Sequence, residues 1–183
     1  MKYAGIGSRE APEGALQLIG RLAARLGQLG WTLRTGGNPG ADQAWEAGAR
    51  RGRGKVELYL PWPFFERYNP RSAGVVLAEP SEEALEAAAR LHPFWGKMSR
   101  AAQKIVARYH HVVLGQDLRD PVDFIICWTP DGAEGSREVS KATGDTSQAI
   151  RLADGWGIPV INLANGQGPA RIAQLLKKLG KGG

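Results

Sequence analysis

Residues 2–42, KYAGIGSREAPEGALQLIGRLAARLGQLGWTLRTGGNPGAD, contain the pattern that decides the fold. An apolar run at 2–6 is followed by a glycine turn at 7–9, and apolar residues then recur at helical spacing over 16–29. This order predicts a strand, a turn and a helix. The unit then repeats, because residues 31–35 predict a second short strand that runs into another pair of glycines.

Several of the predicted helices have recognisable start signals. Asn38-Pro39 supplies an N-cap and a first-turn proline for a helix through Arg50. Ser81 precedes two glutamates and predicts the cap of a helix that ends before Pro93. Asp145 and Gln148 resemble a capping box at the start of a further helix.

Strands and helices alternate along the remaining chain. The sequence predicts strands at 56–60, 75–78, 122–128 and 158–163, and helices at 97–113, 146–156 and 169–179. Alternation of this kind is typical of parallel βαβ units. We therefore predict an α/β chain: a single three-layer Rossmann-like domain over residues 1–176, with a mostly parallel sheet, a helical insertion at about 81–115 and a flexible basic tail at 177–183.

Composition excludes several classes of protein. Of the 183 residues, 43% are hydrophobic and six are Trp, so the chain is too apolar and too aromatic to be disordered. The lone Cys127 cannot form an intramolecular disulfide and is expected to be an inert core thiol. The absence of a signal-like leader and of an 18-residue apolar run predicts a cytoplasmic protein with no membrane span. The net charge of +6 favours an anionic partner.

The first glycine turn is a candidate anion site. Ligands of open parallel sheets bind beyond the carboxyl ends of the strands, so the loops after residues 6, 35, 60 and 128 should share one rim. At Gly7, Ser8 and Arg9, backbone N–H groups, a hydroxyl and a cation can all face a phosphate. The alternative is a tight turn capped by Ser8, because the third glycine of a dinucleotide fingerprint is absent.

The second glycine loop leads into a predicted helix N-terminus, another favourable position for phosphate. Asp42 and Glu46 share a face of that helix, so they can contact a ribose or serve as acid or base. Alternatively, Asp42 complements the helix dipole and Glu46 pairs with Arg50. The phosphate-binding candidates in this loop are Gly36, Gly37, Asn38, Gly40 and Asp42.

The loop at 129–146 is long for a compact domain, so it predicts a lid or a ligand loop, with functionless disorder as the alternative. The aromatic residues after the third strand can stack on a base or lie buried under the helical insertion; they are Trp62, Phe64, Phe65 and Tyr68. The three histidines form no pattern typical of a metal site, so we expect no metal and no cofactor.

Four cations follow helical spacing. Lys97, Arg100, Lys104 and Arg108 lie 3, 4 and 4 residues apart, and His111 continues the line. Such a stripe, opposite an apolar face, can follow several phosphates of a nucleic acid. The alternative is a solvated helix face without a ligand.

The motifs GIGSRE, TGGNPGADQAWEAGA, ICWTPDG and GDTSQAIRLADGWGIPVINL together resemble the SLOG superfamily of Rossmann-like nucleotide-binding proteins. Within that superfamily the chain is most similar to the DNA-processing protein A (DprA) branch and to small phage-encoded relatives. The resemblance implies a pocket for nucleotide phosphate or single-stranded DNA. Its walls would be the two glycine loops on one side and Gly144, Asp145 and Thr146 on the other.

A second SLOG group, the cytokinin-activating phosphoribohydrolases, carries a catalytic Glu in the motif PGGxGTxxE. Here Ala149 stands at the corresponding position, so glycosidic cleavage would depend on Asp42 or Glu46 instead. Three hypotheses follow: a protein that binds a nucleotide or single-stranded DNA, a nucleoside monophosphate N-glycosidase, and a non-catalytic nucleotide sensor. We also expect a homo-oligomer, since exposed helices in such folds often pair.

Overall fold

A six-stranded sheet lies between two layers of helices in the computed structural model, which describes residues 1–179. The strands are β1 (Lys2–Gly7), β2 (Thr32–Thr35), β3 (Lys55–Tyr59), β4 (Val75–Leu77), β5 (Phe124–Trp128) and β6 (Val160–Asn162). The helices are α1 (Glu13–Gln28), α2 (Ala41–Arg51), α3 (Glu82–Leu91), α4 (Arg100–Leu114), α5 (Thr146–Trp156) and α6 (Gly168–Leu179). Short 3₁₀ turns lie at Phe65–Arg67, Trp95–Lys97 and Lys141–Thr143.

The strand order is β4-β3-β2-β1-β5-β6, and every pairing is parallel. Within β1, Ala4 pairs with Arg34 of β2 on one side and with Ile125 of β5 on the other. The direction of strand addition reverses between β1 and β5, so the loops that follow these two strands diverge and leave a crevice at the carboxyl edge. The predicted α/β class and three-layer Rossmann-like architecture are confirmed, and the sheet is entirely parallel.

Both faces of the sheet are buried, which explains the near-continuous apolar sequence of its central strands. Tyr3 points into a core formed with α1, α2 and α6, whereas Ala4 and Ile6 point into a core formed with α4 and α5. Cys127 is a buried thiol in the second core, where burial raises its pKa. The predicted insertion, 81–115, thus supplies α4 as a covering helix of the sheet, and α3 packs on the outside of α4.

Helices α1 and α2 cross at small residues. A Cβ atom added to Gly48 would lie 2.5 Å from the Gly20 carbonyl oxygen and 2.7 Å from the Ala23 Cβ. Both distances are too short for carbon, so the approach of the two backbones depends on this glycine. The crossing fixes where α2 begins, and hence the position of the loop that precedes it.

Two predicted helix starts are wrong, and a third helix, α5, begins at Thr146 as predicted but lacks the predicted cap. Helix α2 begins at Ala41 with Gly40 as its N-cap, because the side-chain oxygen of Asn38, which the predicted cap would need, accepts from Arg9 Nη2 instead. At α5, Asp145 makes no capping bond, and Gln148 is buried against His110 rather than turned back to the helix start. Helix α4 starts after a Ser99 cap, so Lys97 lies in the preceding turn.

The predicted flexible tail at 177–183 overlaps the last helix. Helix α6 continues through Leu179, and residues 180–183 lie outside the described part of the chain. No helix in residues 1–179 combines the length and the apolar character that crossing a bilayer requires.

Candidate functional site

A cleft of about 410 Å³ opens at the carboxyl edge of the sheet, between the loops that follow β1 and β5. This is the switch point of the strand order, where ligands of open parallel sheets bind. The cleft is lined by Gly7, Ser8, Arg9, Glu10, Asn38, Tyr109, Pro130, Lys141, Ala142, Thr143, Gly144, Asp145 and Thr146. The structure therefore brings together the predicted residues of the first turn, Asn38 and the predicted opposite wall at 144–146.

The first turn is held tightly beneath the cleft. A Cβ on Gly7 would lie 2.5 Å from the Trp128 carbonyl oxygen, so only glycine allows β1 and β5 to end this close together. The Ser8 hydroxyl accepts a hydrogen bond from the Glu10 backbone N–H at 3.0 Å, which is the predicted turn cap. The Ser8 hydroxyl proton has no acceptor within residues 1–179 and is available to a ligand.

Arg9 and Asn38 connect the two glycine loops above the sheet. Arg9 Nη2 donates to Asn38 Oδ1 at 2.9 Å, while the rest of this side chain is exposed at the cleft. The Asn38 amide donates to the hydroxyl of Tyr109 at 3.4 Å. Asn38 is buried, so its orientation is fixed by these partners and it presents a rigid wall to the cleft.

Asp42 lies below the cleft and does not line it. Its carboxylate is 0% exposed and accepts the backbone N–H groups of Gly7 and Asn38, each at 3.2 Å. Burial raises the pKa of Asp42 to about 6, against the charge of Arg108 and the backbone hydrogen bonds. Asp42 thus ties the two glycine loops together, and in this geometry its oxygens reach no ribose or water in the cleft.

Glu46 also lies outside the cleft. One carboxylate oxygen accepts from Arg50 Nε at 2.8 Å, and the other accepts from the hydroxyl of Tyr68. The Glu46–Arg50 pair is the structural alternative that the spacing predicted. Of the two predicted acid–base candidates, neither lines the cleft.

The remaining glycines of the second loop shape it from behind and do not line the cleft. Gly37 and Gly40 have φ values of +73° and +82°, which other residues adopt rarely. A Cβ on Gly40 would lie 2.5 Å from the Arg9 carbonyl oxygen, and one on Gly36 would lie 2.8 Å from Cζ of Arg108. The predicted phosphate role of these three glycines is thus indirect in this geometry.

The opposite wall is an ordered loop built around Asp131. This carboxylate accepts the hydroxyls of Thr129 at 2.8 Å, Ser140 at 2.6 Å and Thr143. Partial burial opposes its ionisation, but the hydroxyl donors together hold the pKa of Asp131 well below its ordinary value. The carboxylate fixes the 3₁₀ turn that places Lys141 at the cleft, so this loop, predicted as a lid or a ligand loop, is a fixed wall here.

Helix α5 begins at this wall without a side-chain cap. The backbone N–H groups of Asp145 and Thr146 have no acceptor within residues 1–179. Lys141 makes no ion pair in the same part of the chain. A helix N-terminus carries partial positive charge, so donors and a full cation converge on one wall of the cleft.

The prediction of a continuous cationic face on α4 is wrong. Lys104 pairs with Glu79, and Arg100 lies 3.7 Å from Glu82. Arg108 is fully buried against the second glycine loop, and His111 is buried with its Nε2 3.1 Å from the Ser81 backbone nitrogen. Spacing of 3 and 4 residues cannot distinguish a solvent-facing cation from one that packs onto a neighbouring loop.

The aromatic residues after β3 divide between burial and exposure. The Phe65 ring is buried, with its centroid 5.1 Å from that of Trp62 and 5.3 Å from Cζ of Arg108. Phe64 is 67% exposed. The predicted burial under the helical insertion therefore holds for Phe65, which packs against α4.

Sequence reasoning missed three contributors to the site: Tyr109, Lys141 and Thr143. Tyr109 belongs to the apolar face predicted for its helix, and its hydroxyl is the one group that indicates contact with a polar site. Lys141 and Thr143 belong to a long polar loop, and no local motif distinguishes them from its other polar residues. Their convergence depends on the Asp131 hydrogen bonds, which join residues too far apart in the loop for a local pattern to predict.

Within residues 1–179, no group of three His, Cys, Asp or Glu side chains is arranged to hold a metal ion. A second cleft, of about 400 Å³, lies between α3, α4 and α5, and its lining is mainly apolar, with Leu91, Leu114 and Trp156.

Comparison with protein-family models, curated proteins and solved structures finds no match to this chain.

Proposed function

We propose that the cleft between the β1 and β5 loops binds the phosphate group of a nucleotide or of single-stranded DNA. One observation carries the proposal: the uncapped N-terminus of α5, Lys141 and Arg9 all line the same cleft at the switch point of the sheet. Two cations and two free backbone N–H groups can satisfy the oxygens of one phosphate. This ligand class also agrees with the one that the SLOG resemblance implies.

Binding without turnover is the better supported form of this proposal. Asp42 is buried with both oxygens occupied, and Glu46 lies outside the cleft in a pair with Arg50. Ala149 is buried in α5 and carries no acid. An N-glycosidase would need a carboxylate beside the sugar, and the two that line the cleft, Glu10 and Asp145, are both exposed to solvent. A nucleotide sensor uses the same cleft and differs only in its response.

The test is a titration of nucleoside monophosphates and of a short oligodeoxythymidylate, followed at several salt concentrations. We expect Lys141→Met to weaken binding about 10- to 150-fold, since a charge-assisted hydrogen bond contributes about 1.5–3 kcal/mol. Lys97→Met is the matched control: Lys97 is exposed and lies away from the cleft, so affinity should not change.

Two outcomes would contradict the proposal. One is the absence of binding to every ligand at low salt, and the other is equal affinity of Lys141→Met and the wild type. A polymer ligand should show a steeper dependence of the logarithm of affinity on the logarithm of salt concentration than a mononucleotide, because it releases more counterions. A sensor would change its assembly state on adding nucleotide, without release of free base.

A further inference from the structure

The guanidinium of Arg108 is an unusual buried group. It is 0% exposed, and only Nη1 has a partner, the carbonyl oxygen of Gly36. Nε and Nη2 are buried and have no hydrogen-bond partner within residues 1–179. These two nitrogens lie on the same edge of the planar group and form the fork that receives two oxygens of a phosphate or a carboxylate.

No anion within the described residues fills this fork. No carboxylate forms an ion pair with Arg108 at 4.0 Å or less. Asp42 is close enough for its pKa to respond to the arginine charge, but its oxygens take the N–H groups of Gly7 and Asn38. Buried charges in proteins are normally paired or hydrogen-bonded, and an exception requires an explanation.

Aromatic rings surround the guanidinium in place of an anion. Its Cζ lies 5.3 Å from the ring centroids of both Phe65 and Tyr109. Tyr109 belongs to the same rigid helix, whereas Phe65 belongs to the segment after β3. Cation–π contact compensates a desolvated arginine only in part, since it leaves the N–H donors unsatisfied.

The segment that carries Phe65 is strained. We call residues 61–68 the aromatic strap. Within it, Phe64, Glu66 and Arg67 have φ values of 63°, 47° and 68°, in the left-handed region that residues with a side chain disfavour. Side-chain contacts attach the strap to the domain: Phe65 packs on Arg108, and the Tyr68 hydroxyl bonds Glu46. Release of the strap would relieve this strain and uncover the arginine.

We propose that Arg108 forms a second anion site, in which two oxygens of a phosphate group bind Nε and Nη2 after the aromatic strap moves away. The anion takes the place of the Phe65 ring and supplies the acceptors that the fork lacks. This site is separate from the cleft proposed above, in which Arg108 is not a lining residue. The phosphate comes from free inorganic phosphate or from a nucleotide.

The test is calorimetric titration of inorganic phosphate into the full chain, with five variants. We expect two phosphate sites in the wild type. Arg108→Met should weaken one of them at least tenfold, while Lys141→Met should weaken only the other. Arg100→Met, an exposed arginine on the same helix, should bind both phosphates as the wild type does. Phosphate binding that is equal in Arg108→Met and the wild type overturns the inference.

The fourth variant, Phe65→Leu, keeps the arginine and removes the ring that competes with the anion. It should bind phosphate at the Arg108 site at least threefold more tightly, whereas Phe64→Leu, at an exposed position of the strap, should show no change. Because Phe65→Leu leaves the buried charge in place, it tests the site even where Arg108→Met does not fold. Equal or weaker phosphate binding by Phe65→Leu overturns the inference.

The two proposals fail in different ways. A wild type that binds phosphate only at the Arg108-dependent site contradicts the proposed function and leaves the second site standing. A wild type that binds phosphate only at the Lys141-dependent site does the reverse. A parallel titration with a nucleoside monophosphate separates the two sources of phosphate. Tighter binding of the nucleotide than of inorganic phosphate at the Arg108 site identifies a nucleotide ligand, and the opposite order identifies free phosphate.

Discussion

Asp42→Asn tests the role of the buried carboxylate that joins the two glycine loops. The substitution keeps the size of the side chain and one acceptor oxygen, but it replaces the second oxygen with an NH₂ group. One backbone N–H, of Gly7 or of Asn38, then loses its acceptor. An unsatisfied buried donor costs about 1–3 kcal/mol at every pH.

Ionisation of Asp42 acts in the opposite direction, because it destabilises the wild type and not Asp42→Asn. The pKa of Asp42 in the folded chain is about 6, against an ordinary value of 3.8, so the folded state holds the proton more firmly than the unfolded state does. The contribution of this group to stability is therefore greatest at low pH and falls as pH rises through the window between the two values. From about pH 5 to about pH 8 the fall amounts to about 1.4 kcal/mol. Asparagine cannot titrate, so Asp42→Asn escapes this loss.

The assay is urea unfolding of the wild type and Asp42→Asn at several pH values across that range. The wild type should be the more stable protein near pH 5, and its advantage should shrink by about 1.4 kcal/mol toward pH 8. Asp117→Asn is the control, since Asp117 is exposed on a turn. An advantage that stays constant within about 0.5 kcal/mol, or that grows with pH, would refute the reasoning about burial.

Three further predictions follow from the same contacts. Gly48→Ala should lower the free energy of unfolding by about 1–3 kcal/mol, because its Cβ would lie 2.5 Å from the Gly20 carbonyl oxygen. Gly14→Ala, whose Cβ would have nothing within 4 Å, should raise the free energy of unfolding by about 0.5–1 kcal/mol. Urea unfolding compares the two variants. Asp131→Ala should raise amide hydrogen exchange in residues 139–146 about tenfold at neutral pH, because three hydroxyls lose their shared acceptor. The wild-type wall should loosen in the same assay only as pH falls below the ordinary range of an aspartate, since the pKa of Asp131 is depressed. Arg108→Met should raise the pKa of Asp42 above its wild-type value, visible as a shift of the stability loss to higher pH, and an unchanged window would contradict the electrostatic coupling.

The fold was predictable because its signals are local. The run VDFIICW predicted a central strand, and Ile125, Ile126 and Cys127 are fully buried in β5. Alternation of strands and helices then left few topologies open, since parallel connections are right-handed and adjacent elements pack together. Helix starts were harder, because the side-chain oxygen of Asn38 accepts from Arg9, 29 residues earlier in the chain, rather than from the first turn of its own helix.

Half of the candidate site was predictable for a topological reason. The carboxyl ends of parallel strands meet at one edge, so Ser8 and Thr146 had to lie on a common rim. The direction in which Asp42 and Arg108 face depends on how α4 packs on the second glycine loop. That contact joins residues more than 60 positions apart, and a helical repeat looks the same whether a charged side chain faces water or the interior.

The cleft lies where two parts of the sheet join: strands β1–β4 form the first part, and strands β5 and β6 form the second. Within residues 1–179, the ladder between β1 and β5 is the one strand pairing that joins the first four strands to the last two. Ser8 belongs to the first piece and Thr146 to the second, so a ligand held by both acts as a clamp across the seam. If the chain is cut in the connection after α4, the two fragments should therefore reassemble more tightly when the ligand is present. By the same factor, the ligand should bind the reassembled pair more tightly than it binds the separate fragments.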